Sequence, residues 1–198
     1  ALIEGAEAAR STATGMAAMT SAMLSIVKAG DHVVSSKTLF GSCRVFIETI
    51  LAKFGVEATL VDGDDNEAWK NAFRPNTTAV FLESPANPTL DVVDIKFVCD
   101  VAHENGALVV VDNVFATPLL QKPMQMGADI VIYSSTKHID GQGRCLGGCI
   151  LTSDEIMEEQ ILPYIRHTGP NMSPFNAWVM LKGMETMDLR IEKMCSNA

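Results

Sequence analysis

Positive charge is scarce in this chain: 15 lysines and arginines stand against 24 aspartates and glutamates, a formal net charge of −9. Such a balance repels phosphate backbones and sets nucleic acid aside as a main partner. No apolar run reaches the length of a membrane span, and the N-terminus shows no basic stretch followed by an apolar core. Membrane insertion and export are therefore not expected, and the chain reads as cytoplasmic. The five cysteines (Cys43, Cys99, Cys145, Cys149 and Cys195) are odd in number and lack CxxC spacing. They read as free thiols in a reducing compartment, and no histidine pair at metal-finger spacing turns Cys145 and Cys149 into a zinc site. No GxGxxG follows an early strand, which removes the dinucleotide fingerprint. There is no linker, internal repeat or low-complexity tract. What is present is 198 residues, 47% hydrophobic and 20% charged, enough for one sizeable core and read as a single domain over 1–198.

Periodicity then supplies the elements. Met16, Met19, Met23, Ile26 and Val27 recur at helical spacing, predicting a helix from about Met16 to Ala29, with Gly30 and Asp31 closing it. Further helices are expected over about 41–54, 64–73, 94–105, 118–126, 153–164 and 173 to the end. Short apolar runs predict strands at 32–35, 58–61, 78–83, 107–111, 130–133 and 148–151. Ala107 to Val111 is continuously apolar, as suits a parallel strand covered on both faces. Alternation of strand and helix about every 20 residues is the signature of βαβ crossovers, so the fold class is α/β with a mostly parallel sheet flanked by helices. Ligands of such sheets gather beyond the carboxyl ends of the strands.

The residues with chemistry sit where that rule would put them. Asn87 lies on a proline-bounded loop after the strand ending at Glu83, and Asp112 ends the next strand. The run Ile130–Tyr133 then empties into Ser134, Ser135, Thr136 and Lys137, followed by a glycine-rich turn, Gly141 to Arg144. Ser11, Thr12, Thr14 and Gly15 stand at the start of the first helix, whose free N–H groups and dipole suit an anion. Taken singly, each has an ordinary reading: Lys137 as a solvated loop lysine, Thr14 as a helix cap, Asp112 as a capping or solvent-facing acid. Taken together, an amine, a strand-end carboxylate, hydroxyls and an anion cradle match the needs of pyridoxal 5'-phosphate. That cofactor requires an amine for its aldehyde, an acid for its ring nitrogen and a cradle for its phosphate.

The segments ATGM, LFG, ESPANPTL, VVDNVF, SSTKHIDGQGR and GPNMSPFNAW resemble the Cys/Met-metabolism family of pyridoxal-phosphate enzymes, in order and across nearly the whole chain. The resemblance implies the aspartate-aminotransferase-like, fold type I large domain. It implies Lys137 as the Schiff-base lysine, later the base toward the substrate's α-proton, and Asp112 as partner of the pyridine nitrogen. Ser134 and Thr136, with the backbones of Gly15 and Met16, would form the phosphate cradle. Asn87 would reach the phenolic oxygen, and Phe40 would stack on the ring. Ser135, pointing the other way, has no expected role.

Two positions depart from the family pattern. Lyase-type members usually carry tyrosine at position 40, and phenylalanine removes that proton donor. Val114 replaces the commoner threonine after the Asp-Asn pair. LFGS, GQGR and SPFNAW resemble the O-succinylhomoserine sulfhydrylase branch. That branch implies γ-replacement on O-succinylhomoserine by sulfide, giving homocysteine and succinate in methionine biosynthesis. O-acetylhomoserine sulfhydrylase, cystathionine γ-synthase and methionine γ-lyase activities remain alternatives. Family members are longer, so the chain is expected to be a fragment without the N-terminal arm and the C-terminal small domain, binding cofactor with little turnover alone. Dimer-based homotetramers are expected from the same resemblance. No role for Gln142 or Arg144 emerges from the sequence.

Overall fold

The computed structural model describes residues 1–198. A seven-stranded sheet runs through its centre in the order β1-β7-β6-β5-β4-β2-β3. The strands are β1 (Ala8–Thr12), β2 (His32–Ser36), β3 (Glu57–Val61), β4 (Thr77–Glu83), β5 (Leu108–Asp112), β6 (Ile130–Tyr133) and β7 (Gly148–Thr152). β2 to β6 pair parallel, while β7 lies antiparallel to both β6 and β1. Helices α1 (Gly15–Ile26), α2 (41–53, with a wider turn at Phe46–Ile50), α3 (Asn66–Ala72) and α4 (Ile95–Glu104) connect the first five strands. The short α5 (Thr117–Leu120) precedes β6, and α6 (154–168), α7 (Pro174–Met184) and α8 (Met187–Asn197) follow β7. This is the α/β architecture expected from the strand–helix alternation.

Successive strand residues point to opposite faces, and the two cores show it directly. Val33, Phe81, Val110, Ile130, Ile132 and Ile150 pack with Met19 and Met23 of α1 on one face. Val34, Leu82, Val109, Val111, Val131 and Leu151 pack with Trp69 of α3 and Val98 of α4 on the other. Burial on both faces is why the central strands read as unbroken apolar runs.

Three boundaries differ from the sequence-based expectation. β1 has only its first and last residues buried, so AARST offers no apolar alternation and its pairing with the β7 edge goes unannounced. The helix expected over 118–126 is two short pieces, α5 and a tight 3-10 turn at Pro123–Met126, because Pro123 cannot continue a helical ladder. The last helix is interrupted at Glu185–Thr186, between the end of α7 and the start of α8.

Candidate active site

Parallel register builds the floor of the site. Glu83 of β4 lies beside Asp112 of β5, and Asp112 beside Ile132 of β6. By the two-residue strand period, Glu83 continues the face of Phe81, Asp112 that of Val110, and Ser134 that of Ile132, all toward α1. A cavity of about 530 Å³ opens there, a size suited to a small cofactor. It is lined by all eight residues singled out in the sequence: Gly15, Met16, Phe40, Asn87, Asp112, Ser134, Thr136 and Lys137.

Around the rim, the start of α1 offers features suited to an anion. Thr14 caps the helix, its hydroxyl accepting from the Ala17 N–H at 2.9 Å, so the ordinary capping reading of Thr14 holds. Capping at Ala17 leaves the N–H groups of Gly15 and Met16, two residues that line the cavity, without helical partners. A Cβ built on Gly15 would lie 2.4 Å from Ser134 Cβ and 2.7 Å from Ser134 Oγ, so only glycine lets α1 and the end of β6 approach so closely. Thr136 is engaged differently. Its hydroxyl donates to the Gly147 carbonyl at 3.2 Å and accepts from the Gly147 N–H at 3.1 Å, bridging the lysine turn to β7. To hold a phosphate oxygen it would have to donate, and so release the Gly147 carbonyl.

Two buried carboxyls share the floor. Burial pushes Asp112 up to about 6, opposed by the Val114 N–H that donates to Oδ1 at 3.0 Å. Burial, then the neighbouring Asp112, push Glu83 up to about 7. The Phe40 N–H donates to Glu83 Oε2 at 2.6 Å, and the Asn87 N–H also reaches this carboxyl. Glu83 thus ties the Phe40 loop to the Asn87 loop. It was not among the sequence candidates, although an acid closing the apolar run TAVFLE is the same signal that drew attention to Asp112. Cys43 of α2 also lines the cavity, its thiol 4.0 Å from Asp112 Oδ2 and pushed up by burial first and the two acids after it.

Behind Asp112, a buried polar chain fixes the strand end. Asn113 Nδ2 donates to the Tyr133 hydroxyl at 2.7 Å and to the Gln121 carbonyl at 2.9 Å, and Tyr133 donates to Glu4. In front, Lys137 sits exposed on the turn after β6, beside a His138 whose pKa is lowered by burial and by Arg190. The donor set fits pyridoxal phosphate on the structure's own terms. A glycine-only gap with free N–H groups meets the needs of a phosphate, a buried carboxyl with one oxygen unclaimed by backbone those of a pyridinium, and an amine those of an aldehyde.

Comparison with known proteins shows the family. Residues 1–198 match the family model described as Cys/Met metabolism PLP-dependent enzyme, PLP being pyridoxal 5'-phosphate. The chain is 51% identical over 197 residues to an O-succinylhomoserine sulfhydrylase of Mycobacterium tuberculosis, covering 100% of this chain and 48% of that protein. It is 44% identical over 200 residues to an L-methionine gamma-lyase of Porphyromonas gingivalis, covering 100% of this chain and 50% of the relative. The crystal structure of metB from Corynebacterium glutamicum superposes with a TM-score of 0.92 at 37% identity, over 94% of this chain and 49% of that one. The chain thus spans about half the length of the curated relatives it matches. With the match running from the first residue to the last, the chain belongs to the Cys/Met metabolism PLP-dependent enzyme family.

Proposed function

We propose that this chain carries the cofactor site of an enzyme that replaces the γ-succinyloxy group of O-succinylhomoserine with sulfide, giving homocysteine and succinate. The observation behind this reading is the single cavity that unites Lys137, Asp112 and the Gly15–Ser134 gap. Bound pyridoxal phosphate would supply an electron sink for charge developing at the substrate's α-carbon. The protein's residues do the rest. Lys137 would hold the cofactor aldehyde, and as a free amine would move the substrate's α-proton. Asp112 would keep the ring nitrogen protonated. Gly15, Met16, Ser134 and Thr136 would hold the phosphate, Asn87 would reach the phenolic oxygen, and Phe40 would stack on the ring.

Phe40 also bears on the leaving group. A succinyl ester departs as a carboxylate, with a pKa of roughly 4, and needs no proton, whereas a thiolate, with a pKa of roughly 8.5 or higher, leaves better with an acid beside it. A side chain without a hydroxyl at this rim suits the ester. An O-succinylhomoserine sulfhydrylase at 51% identity accords with the same branch, with a γ-lyase close behind at 44%. The reading also includes a homo-oligomer. Phe115, Leu146, Phe175 and Trp178 are exposed apolar side chains, and Asn176 of α7 donates to the Leu146 carbonyl at the cavity rim, so another protein surface could cover this region.

Initial rates with O-succinylhomoserine, O-acetylhomoserine and methionine, each with sulfide and with cysteine, test the assignment. Preference for the succinyl ester with sulfide is expected. Faster release of thiol from methionine would replace this reading with the lyase, and faster use of cysteine would replace it with cystathionine synthesis.

A further inference from the structure

The turn bearing Lys137 is gripped from outside the cavity by a residue that touches no cofactor position. Within the turn, the Lys137 N–H donates to the Ser134 carbonyl at 3.1 Å, and the Gly141 N–H to the Lys137 carbonyl at 2.7 Å. The carbonyls of His138 and Ile139 find their donor elsewhere, in Arg190 of α8. Its Nη1 donates to the His138 carbonyl at 2.9 Å and its Nη2 to the Ile139 carbonyl at 3.4 Å. The same guanidinium donates from Nη2 to the Gly183 carbonyl at 2.8 Å and from Nε to the Thr186 hydroxyl at 3.2 Å. One planar fork therefore joins the α7–α8 corner to the lysine turn.

Two glycines show how close this joint is. A Cβ on Gly141 would lie 2.0 Å from Arg190 Nη1, at a φ of +71° that already favours glycine, so the guanidinium fills the space where a side chain would be. A Cβ on Gly183 would lie 2.4 Å from the Ile139 carbonyl oxygen. On the turn's other flank the fully buried Asp140 accepts from the Arg144 N–H at 2.7 Å and from Arg144 Nε at 2.8 Å. Burial alone would raise the Asp140 carboxyl, yet the Arg144 and Gln142 donors hold it below its usual range. The GQGR motif thus closes the turn through Asp140, and Arg190 braces it from behind.

We infer that Arg190 is a positioning residue for Lys137, holding the His138 and Ile139 carbonyls so that the lysine side chain enters the cavity at the angle its reaction requires. The inference rests on the proposed role of Lys137. An extended lysine carries its Nζ about 6 Å from Cα, so a backbone swing of about 10° displaces the amine by about 1 Å. Displacements of about that size cost on the order of 100-fold in reactions that depend on orientation.

Arg190→Ala tests this with a chemical readout on Lys137. The protein is mixed with pyridoxal phosphate, reduced with borohydride at timed intervals, and the labelled peptides are quantified by mass. Wild-type protein should label at Lys137, and Arg190→Ala should label there at least about tenfold more slowly while circular dichroism at the labelling temperature shows it folded. Added ethylguanidinium should restore much of the rate in Arg190→Ala. Gly141→Ala, which displaces a guanidinium that is still present, should be slow and should not respond to the additive. Labelling of folded Arg190→Ala at the wild-type rate overturns the inference alone, as does a loss that ethylguanidinium leaves unchanged. Wild-type protein that labels at other lysines but not at Lys137 overturns the proposed role of Lys137, and this inference with it.

Discussion

Gly15 offers the sharpest test of the phosphate cradle, because its missing side chain is the feature that brings α1 against β6. In Gly15→Ala the new methyl would sit 2.4 Å from Ser134 Cβ and 2.8 Å from Ser134 Cα, where ordinary contact requires 3.4–4 Å. The start of α1 must retreat from the β6 end by about 1 Å, since a backbone atom on one side and a strand end on the other cannot both be compressed. Helix propensity favours alanine by at most about 1 kcal/mol, and overpacking costs about 1–3 kcal/mol, so a modest net destabilisation is expected. The larger effect falls on the ligand. Hydrogen bonds from the Gly15 and Met16 N–H groups to a charged phosphate are each worth about 1.5–3 kcal/mol, and misaligning both removes about 3 kcal/mol, on the order of 100-fold in Kd. Titrations of wild type and variant with pyridoxal phosphate and with pyridoxal, followed by fluorescence quenching, separate this from general damage. Pyridoxal lacks the phosphate, so the wild-type preference for the phosphorylated form should shrink by about that factor in Gly15→Ala. An unchanged preference would falsify the assignment of the α1 terminus as the phosphate site.

Other consequences are open to measurement. Asp112 and Glu83 are raised to about 6 and about 7 from ordinary values of 3.8 and 4.5, so the folded state binds more protons than the unfolded one between those limits, and their contribution to stability declines as pH rises through about 4 to 7. Urea unfolding of Glu83→Gln across that range, without cofactor, should show a shallower decline than wild type; parallel curves would show that Glu83 does not titrate there. Trp69→Ala, which empties a fully buried site on the face of the sheet opposite the cavity, should cost about 3–5 kcal/mol in urea unfolding and leave the preference for pyridoxal phosphate over pyridoxal unchanged. Phe40→Tyr restores a hydroxyl at the cavity rim and should raise thiol release from methionine relative to use of O-succinylhomoserine by about tenfold or more. A ratio equal to wild type would remove Phe40 from the choice of leaving group.

The parts of this protein that could be read in advance are those where local pattern and tertiary role coincide. β5 is apolar on both faces until Asp112, and the break itself marks the end of the strand and the floor of the cavity. The same break at Glu83 carried equal information, but a second strand-end acid gains meaning only once the register sets it beside the first. Ser134, Thr136 and Lys137 follow β6 directly, so strand direction alone brings them to the cavity. Their individual partners did not follow from it. That Thr136 would spend its hydroxyl on Gly147 depends on how β7 returns antiparallel across the turn, a pairing between residues 11 apart that no periodicity encodes. Arg190 is further removed still. It lies 52 residues beyond His138 on a helix whose sequence looks like any amphipathic surface segment, and its target is a pair of backbone carbonyls, which leave no trace in side-chain identity. Gly141 is the one local mark of that contact, a glycine that the turn's positive φ would explain on its own. Residues that line the cavity thus announce themselves by their chemistry at a strand end, whereas a residue that grips the chain through main-chain carbonyls becomes visible only when the chain is folded.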